Sequence, residues 1–433
     1  MQHAHIIAAS LTYIEQNLKT TITAEELAKR AGYSLYYYCR LFSSVVHSSV
    51  ASYILKRRLD HALAEITQGQ KAIDVVLAYG FETYSGFYKA FVKMYGCSPR
   101  KYLAIYHSHI PTKPEVTIMY SEKELRAVLQ SWDIDTAIPI GGVPIVLEET
   151  RLSENCWTVG EEYLLKTGGR EQLLRGSRIA KALAAQGFSA PYPIPTKSGA
   201  EYREGQEIFI LTNKPKGIPL PRAERIGSRR EAYGILYGKS LAGLHKALAN
   251  IQPDIPADDA NLWQTVSTWA MPEVFKQNVQ WDMQLPASFF EDYAETFAGL
   301  YPQLPRQLIH RDPHPGNILF DAGTVSGFGE FDLGEINIRL WDVCYCATGI
   351  LSEMEEEAYS CWLDILAGIV SGYDSENPLT AEEKQAIYYV ICSIEMICIA
   401  FFESRDIFRE LAKTNRRMLV FLAGKAQEIK NIR

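Results

Sequence analysis

Apolar residues recur with a helical period through the first hundred residues of the chain. Between Leu35 and Ser44, Tyr38, Leu41 and Phe42 form an i, i+3, i+4 stripe, which predicts an amphipathic helix with Tyr36, Tyr37 and Arg40 on its outer face. A shorter helix, Glu25 to Arg30, precedes it, with Thr23 placed to cap it and Glu26 to complete a capping box. Gly32 suits a left-handed turn residue, and Ser34 suits the cap of the second helix. The pattern returns about forty-eight residues later: Ala28-x-x-Ala31-Gly32-Tyr33 is matched by Val75-x-x-Ala78-Tyr79-Gly80-Phe81, and Tyr38-x-Arg40-x-Phe42 by Phe87-x-Lys89-x-Phe91. In the second copy Phe87 and Phe91 form the inward face. Ser85, Tyr88, Lys89 and Lys93 are left outside, with Glu82 and Thr83 at the helix start. A helical repeat of this length predicts two stacked helix-turn-helix units.

Beyond this the period changes. Residues 108–120 carry Pro111 and Pro114 and no helical period, which predicts a stiff, extended linker. From about Ser121 β-rich and helical stretches alternate; Glu162–Lys166 and Glu207–Thr212 have strand composition, and long helical patterns dominate from Arg222. The organisation expected is a helical module over 1–107, a linker over 108–120, a small α/β lobe over 121–216 and a mainly helical lobe over 217–433. The longest apolar run, Tyr388–Phe402, contains Ser393 and Glu395 and falls short of the ~20 residues a membrane span needs, so it predicts a buried helix.

A composition that is 47% hydrophobic and 22% charged supports sizeable cores and excludes a disordered chain. The eight cysteines form no C-x-x-C pair, and the N-terminal stretch has neither a basic n-region nor a long apolar h-region. Both point to a cytoplasmic protein with reduced thiols. The net charge of −7 hides an asymmetry: Met1–His107 holds twelve Lys/Arg against seven Asp/Glu, so the remainder is strongly acidic. A basic module on an acidic body suggests nucleic-acid binding at one end. Solvated basic faces on two helical hairpins would look the same, and the motifs must decide.

They do so at Gly80–Tyr102. Gly80-Phe81, then Phe87, then Phe91 followed by Lys93, Gly96, Ser98-Pro99 and Tyr102 resembles the signature of the AraC/XylS-type DNA-binding domain, with Val92 where a lysine is usual. The resemblance implies double-stranded DNA as a partner, with the outward residues Tyr36, Tyr37, Arg40, Thr83, Ser85, Lys89 and Lys93 at the interface. Two recognition helices in one chain can enter successive major grooves. Arg40 can offer a bidentate fork to guanine, and Lys89 suits a base or a phosphate. The basic run Lys56-Arg57-Arg58 reads either as a solvated face or as phosphate contacts.

The second half carries different chemistry. His310-Arg311-Asp312 followed by Asn317 has the H-R-D-x-x-x-x-N spacing of a kinase catalytic loop. Asp312 would orient or deprotonate a substrate hydroxyl, and Asn317 would hold a metal through its amide oxygen. Lys166 ends a strand, as the phosphate-pairing lysine of kinases does. Together with Pro215-Lys216-Gly217, Leu241-Ala242-Gly243-Leu244-His245 and Trp341-Asp342, these residues resemble the aminoglycoside phosphotransferase and choline kinase family. The resemblance covers about residues 130–420 and implies an α+β bilobal protein-kinase-like fold, so that the whole chain is multidomain: an all-α double helix-turn-helix module followed by that fold. It also implies ATP or another nucleoside triphosphate and Mg²⁺ as cofactors. Ser153 and Asn155 are then the candidates for nucleotide cover and Glu171 the candidate partner of Lys166, while Arg175-Gly176 stands where the family shows R-E.

Only six residues separate Gly334 from Trp341 and no A-P-E follows, which points to a small molecule rather than a peptide as substrate. Glu353, Glu355, Glu356 and Glu357 would attract a cation or simply form a solvated face. One departure bears on activity: Glu330 stands where the family has the Asp of I-D-F, and Gly329 where it has Ile. Asp332 lies two residues on, so period two in a strand lets either carboxylate reach a metal. A carboxylate one methylene longer perturbs a Mg²⁺ site. The function expected is a DNA-binding transcriptional regulator whose phosphotransferase-like domain senses or phosphorylates a small molecule. The alternative is an active small-molecule kinase, acting on an antibiotic or amino-alcohol hydroxyl, that carries a DNA-binding module.

Overall fold

The tandem apolar pattern folds as helices α1 (His3–Gln16), α2 (Ala24–Ala31), α3 (Leu35–Val46), α4 (Val50–Thr67), α5 (Ala72–Ala78) and α6 (Tyr84–Tyr95). The structure, a computed structural model, describes residues 3–46, 48–67, 70–95, 99, 120–145, 148–205, 207–403 and 409–432. It divides into two units, Met1–Leu125 and Arg126–Arg433, each with its own apolar core. The expected linker, apart from Tyr120, lies outside the described residues, as do Gly96, Ser98 and Tyr102 of the N-terminal signature.

In the first unit Tyr38, Phe42, Phe87 and Phe91 are fully buried, as the repeat requires. Gly32 and Gly80 adopt φ of 72° and 82°, the left-handed turn that joins the helices of each unit. Thr23 caps α2 by accepting from the Glu26 N–H at 3.1 Å. The reciprocal half of the expected capping box is replaced, because Glu26 Oε1 accepts from the Tyr13 hydroxyl at 2.6 Å and so ties α2 to α1. The basic run of α4 disperses. Arg57 is buried and donates to both oxygens of Glu15 on α1, at 2.7 and 2.8 Å. Arg58 donates to the carbonyls of Leu18 and Thr20. Only Lys56 of the three is exposed. Burial by itself would raise the Glu15 carboxyl, but hydrogen bonds from His61, Arg57 and Tyr53 hold it down at about 2.

The second unit begins with an antiparallel sheet in the order β1 (Ile140–Ile145), β2 (Glu148–Val159), β3 (Tyr163–Gly168), β4 (Ile208–Asn213). The helix Arg170–Ala185 follows β3 and buries Leu173 with Ile208 and Ile210 of β4. After Asn213 the chain crosses into a larger helical lobe. Two small antiparallel arrangements sit at its entrance: β5 (Ile218–Pro219), β7 (Ile318–Asp321) and β8 (Thr324–Phe328) in one, β6 (Arg306–Ile309) and β9 (Glu335–Ile338) in the other. The core behind them comes from the helices Arg230–Ile251, Leu340–Leu351, Trp362–Glu376 and Ala381–Glu403. Ala381–Glu403 contains the long apolar run; its length and hydropathy would suit a membrane span, but 72% of its apolar window is buried within the protein.

Candidate functional site

The loop between β6 and β7 carries His310, Arg311, Asp312 and Asn317, and its shape is imposed from beneath. Asp342, fully buried at the start of the helix Leu340–Leu351, accepts from the backbone N–H of His310 at 2.8 Å and of Arg311 at 2.9 Å. Its Oδ2 also accepts from His245 Nε2 at 2.9 Å, and the other ring nitrogen of His245 meets the Tyr373 hydroxyl at 2.8 Å. The adjacent Trp341 donates to the Arg311 carbonyl at 2.9 Å and lies under its guanidinium, 3.6 Å from ring centroid to Cζ. These contacts hold Arg311 at φ 76°, a left-handed conformation costly for a long side chain. His310 closes the loop onto the next segment, donating from Nε2 to the Gly329 carbonyl at 2.7 Å.

Asp312 and Asn317 meet within the loop. Asn317 Nδ2 donates to the Asp312 carbonyl at 2.9 Å and to its carboxylate at 3.3 Å, which turns the amide oxygen of Asn317 away from Asp312. The Gly329 N–H donates to the Asn317 carbonyl at 2.8 Å, so the segment that follows β8 starts against Asn317. Half-buried Tyr345 lies beside Asp312; desolvation and then that carboxylate push the phenol well above its ordinary range.

Lys166 on β3 is buried. Its Nζ stands 3.2 Å from Asp332 Oδ2 and 3.6 Å from Glu330 Oε1. Burial alone would depress the ammonium, but the two carboxylates hold it above its usual value. The Lys166 charge in turn pulls Glu330 below the ordinary carboxylate range, whereas burial leaves Asp332 raised. Among the described residues no three His, Cys, Asp or Glu side chains cluster as a metal cage. Two carboxylates and an amide oxygen suit Mg²⁺, which keeps several waters and is commonly held by one or two carboxylates and substrate phosphates.

In the first unit the outer faces of α3 and α6 are open. Tyr36, Tyr37 and Arg40 are exposed, with Arg40 stacked over the Tyr36 ring at 5.8 Å. Thr83, Ser85, Lys89 and Lys93 are exposed along α6, and Thr83 also caps that helix by accepting from the Gly86 N–H at 3.0 Å.

Residues 27–105 match the helix-turn-helix domain family, and residues 153–360 match the phosphotransferase enzyme family. The TetD protein of transposon Tn10 from Escherichia coli is 34% identical over 101 residues, 23% of this chain and 73% of that protein. The chain belongs to the AraC-type helix-turn-helix family and carries a phosphotransferase-family domain. It spans only 41% and 42% of two other helix-turn-helix relatives. A homoserine kinase from Xanthobacter autotrophicus is 28% identical over 276 residues, 61% of this chain and 79% of that enzyme. Among solved structures, an amicoumacin kinase in complex with AMP-PNP, Ca²⁺ and Ami superposes with a TM-score of 0.50 at 15% identity, covering 72% of this chain and 94% of that one. At that identity the likeness is one of fold.

Within the phosphotransferase-family domain the structure joins Lys166 to Glu330 and Asp332, and Asp312 to Asn317. The strand expected to set Glu330 and Asp332 on one face toward a metal does not extend that far: β8 ends at Phe328, and both acids lie in the turn beyond it, with Glu330 at φ 49°. Glu171 is exposed on the first turn of its helix, and the acids that Lys166 meets are Glu330 and Asp332 instead. Ser153 and Asn155 lie within β2 rather than in a loop, and the Ser153 hydroxyl bonds Asn155 Oδ1 at 2.8 Å. Cys156 is the residue paired with Lys166, so the alternation of the strand turns Asn155 to the opposite face. The acidic run divides: Glu353 forms a buried ion pair with Arg225, while Glu355 and Glu356 stay on the solvated face and meet Arg222 and Arg417 there. In the sequence Trp341-Asp342 and His245 stand out only through the family resemblance. Their task of clamping the loop backbone has no signal beyond two buried polar residues in apolar helices.

Proposed function

We propose that this AraC-type chain is a transcriptional regulator whose phosphotransferase-like domain binds a nucleoside triphosphate with Mg²⁺ and a small hydroxyl-bearing molecule, and that occupancy of that site alters DNA binding. The observation that carries the reading is the convergence of Lys166, Glu330, Asp332, Asp312 and Asn317 through one linked set of contacts. The nucleotide named with the amicoumacin kinase and the likeness to homoserine kinase support it. Lys166 would pair with phosphate, and Asn317 Oδ1 with an acidic side chain would hold Mg²⁺, which neutralises phosphate charge when bound. Asp312, fixed by Asn317 and by the Asp342 clamp, is the residue placed to orient a hydroxyl and take its proton. The exposed residues of α3 and α6 are the DNA-reading set, and the cytoplasm is where DNA and nucleotide are both met.

Phosphoryl transfer is a second reading, favoured by the intact Asp312–Asn317 pair. One experiment separates the two. Calorimetry with AMP-PNP and Mg²⁺ on the full chain should show binding, and a screen of amines, amino alcohols and aminoglycosides with ATP should show turnover only under the second reading. No nucleotide binding at all would end both.

A further inference from the structure

The two acids beside Lys166 are not equivalent. Asp332 lies within hydrogen-bond distance at 3.2 Å, whereas Glu330 at 3.6 Å lies beyond it. The Glu330 side chain is also the more exposed, 51% against 29%. The helix Arg170–Ala185 faces this pair with Gly176. A Cβ on Gly176 would stand 2.1 Å from Asp332 Oδ1 and 2.9 Å from Asp332 Cα, closer than real contacts allow. No side chain at position 176 is compatible with Asp332 where it stands, and without Gly176 the turn could not carry Asp332 against Lys166. The neighbouring Arg175 points elsewhere, to Asp258 at 2.5 Å. Glu330, by contrast, directly follows Gly329, whose N–H is bonded to Asn317 and on which a Cβ would lie 3.6 Å from Asn317 Oδ1.

From this geometry we infer that Asp332 is the positioning residue for Lys166, supplying from the turn the acid that the helix lacks at Gly176, which leaves Glu330 as the acidic side chain that the proposed function already sets beside Asn317 on a divalent cation. The Glu330 half rests on the nucleotide reading above. The Asp332 half rests on the pair itself.

The test uses the full chain and AMP-PNP, titrated in EDTA and in Mg²⁺. Wild type should bind more tightly in Mg²⁺. Glu330→Gln should bring the ratio of the two affinities to near one. Asp332→Asn should weaken binding about tenfold in both conditions, the worth of one charge-assisted hydrogen bond, and leave the ratio intact. Asp332→Glu should recover most of that loss, which a purely structural role for the turn would not produce. The reverse pattern, with Asp332→Asn erasing the Mg²⁺ dependence and Glu330→Gln preserving it, overturns the assignment. A second readout needs no nucleotide. In thermal unfolding, Lys166→Met combined with Asp332→Asn should lower Tm by clearly less than the sum of the single changes, while Lys166→Met with Glu330→Gln should be close to additive. Additivity in the first pair overturns the Asp332 half. If wild type binds no AMP-PNP, the nucleotide reading and the Glu330 half fail together, and the thermal cycle still decides Asp332.

Discussion

Replacing Glu15 by Gln tests the assignment of Arg57 to the protein interior rather than to DNA. Glu15 is the acceptor for Arg57 Nε and Nη2, for the Tyr53 hydroxyl at 3.1 Å and for His61 Nε2 at 3.2 Å, and its side chain is 17% exposed. A carboxyl held at about 2 instead of 4.5 corresponds to about 3 kcal/mol of stability at neutral pH. The sign follows from the direction. The folded value is depressed, so the contribution is complete above about 4.5 and is lost as pH falls toward about 2. Gln keeps the shape and removes the charge, leaving the buried Arg57 guanidinium to Asp60 at 3.6 Å. All seven tryptophans lie at or beyond Trp132, so indole fluorescence reports only the second unit. Amide exchange in peptides from α1 and α4 of the full chain is the suitable assay. At pH 7 Glu15→Gln should open these helices roughly a hundredfold more often, and the gap from wild type should narrow as pH falls below about 4.5. The slope of DNA affinity against salt should not change, because Arg57 meets no phosphate. An exchange change under about threefold, or a salt slope reduced by about one in Arg57→Met, would refute the reasoning.

Three further outcomes are expected. Asp342→Asn replaces an acceptor of two backbone N–H groups and a histidine; it should cost about 2–3 kcal/mol in denaturant unfolding followed by tryptophan fluorescence, and an effect within experimental scatter would show that the loop holds its own shape. Arg40→Ala should relax base preference at one half-site by about 1–3 kcal/mol in binding selected from random duplexes, whereas Lys93→Ala should weaken all duplexes alike and flatten the salt slope; the reverse assignment of the two effects would exchange their roles. Saturating AMP-PNP and Mg²⁺ should change affinity for a selected duplex by at least fivefold at fixed salt, and Lys166→Ala should abolish the response; equal affinity with and without nucleotide would mean that the two units act independently.

The helix-turn-helix pattern was readable because its information is local. Tyr38, Phe42, Phe87 and Phe91 repeat at helical spacing, and Gly32 and Gly80 mark turns that need φ above zero, so one strand of text carries both the helices and their inward faces. The same locality made Asp312 and Asn317 visible, since five residues of spacing bring their side chains together inside one loop.

Pairings between distant segments were not readable in this way. Lys56-Arg57-Arg58 is one basic run in sequence, yet Glu15, forty-two residues before Arg57, takes Arg57 out of it into a buried ion pair. Glu353 looks like part of an acidic face, yet Arg225, 128 residues earlier in the chain, takes it into a buried ion pair. Glu171 is the first acid after Lys166 in the sequence, but helix geometry exposes it and leaves Gly176 facing the lysine, so that Asp332, 166 residues beyond Lys166, fills the space. Periodicity, turn residues and short motifs act over a few residues, so the helices of the first unit and the residue types available for phosphate and DNA chemistry are legible in the chain alone. Which charge meets which is settled by packing, because the energy of burying Lys166 or Arg57 depends on the acid that distant segments bring within about 3 Å.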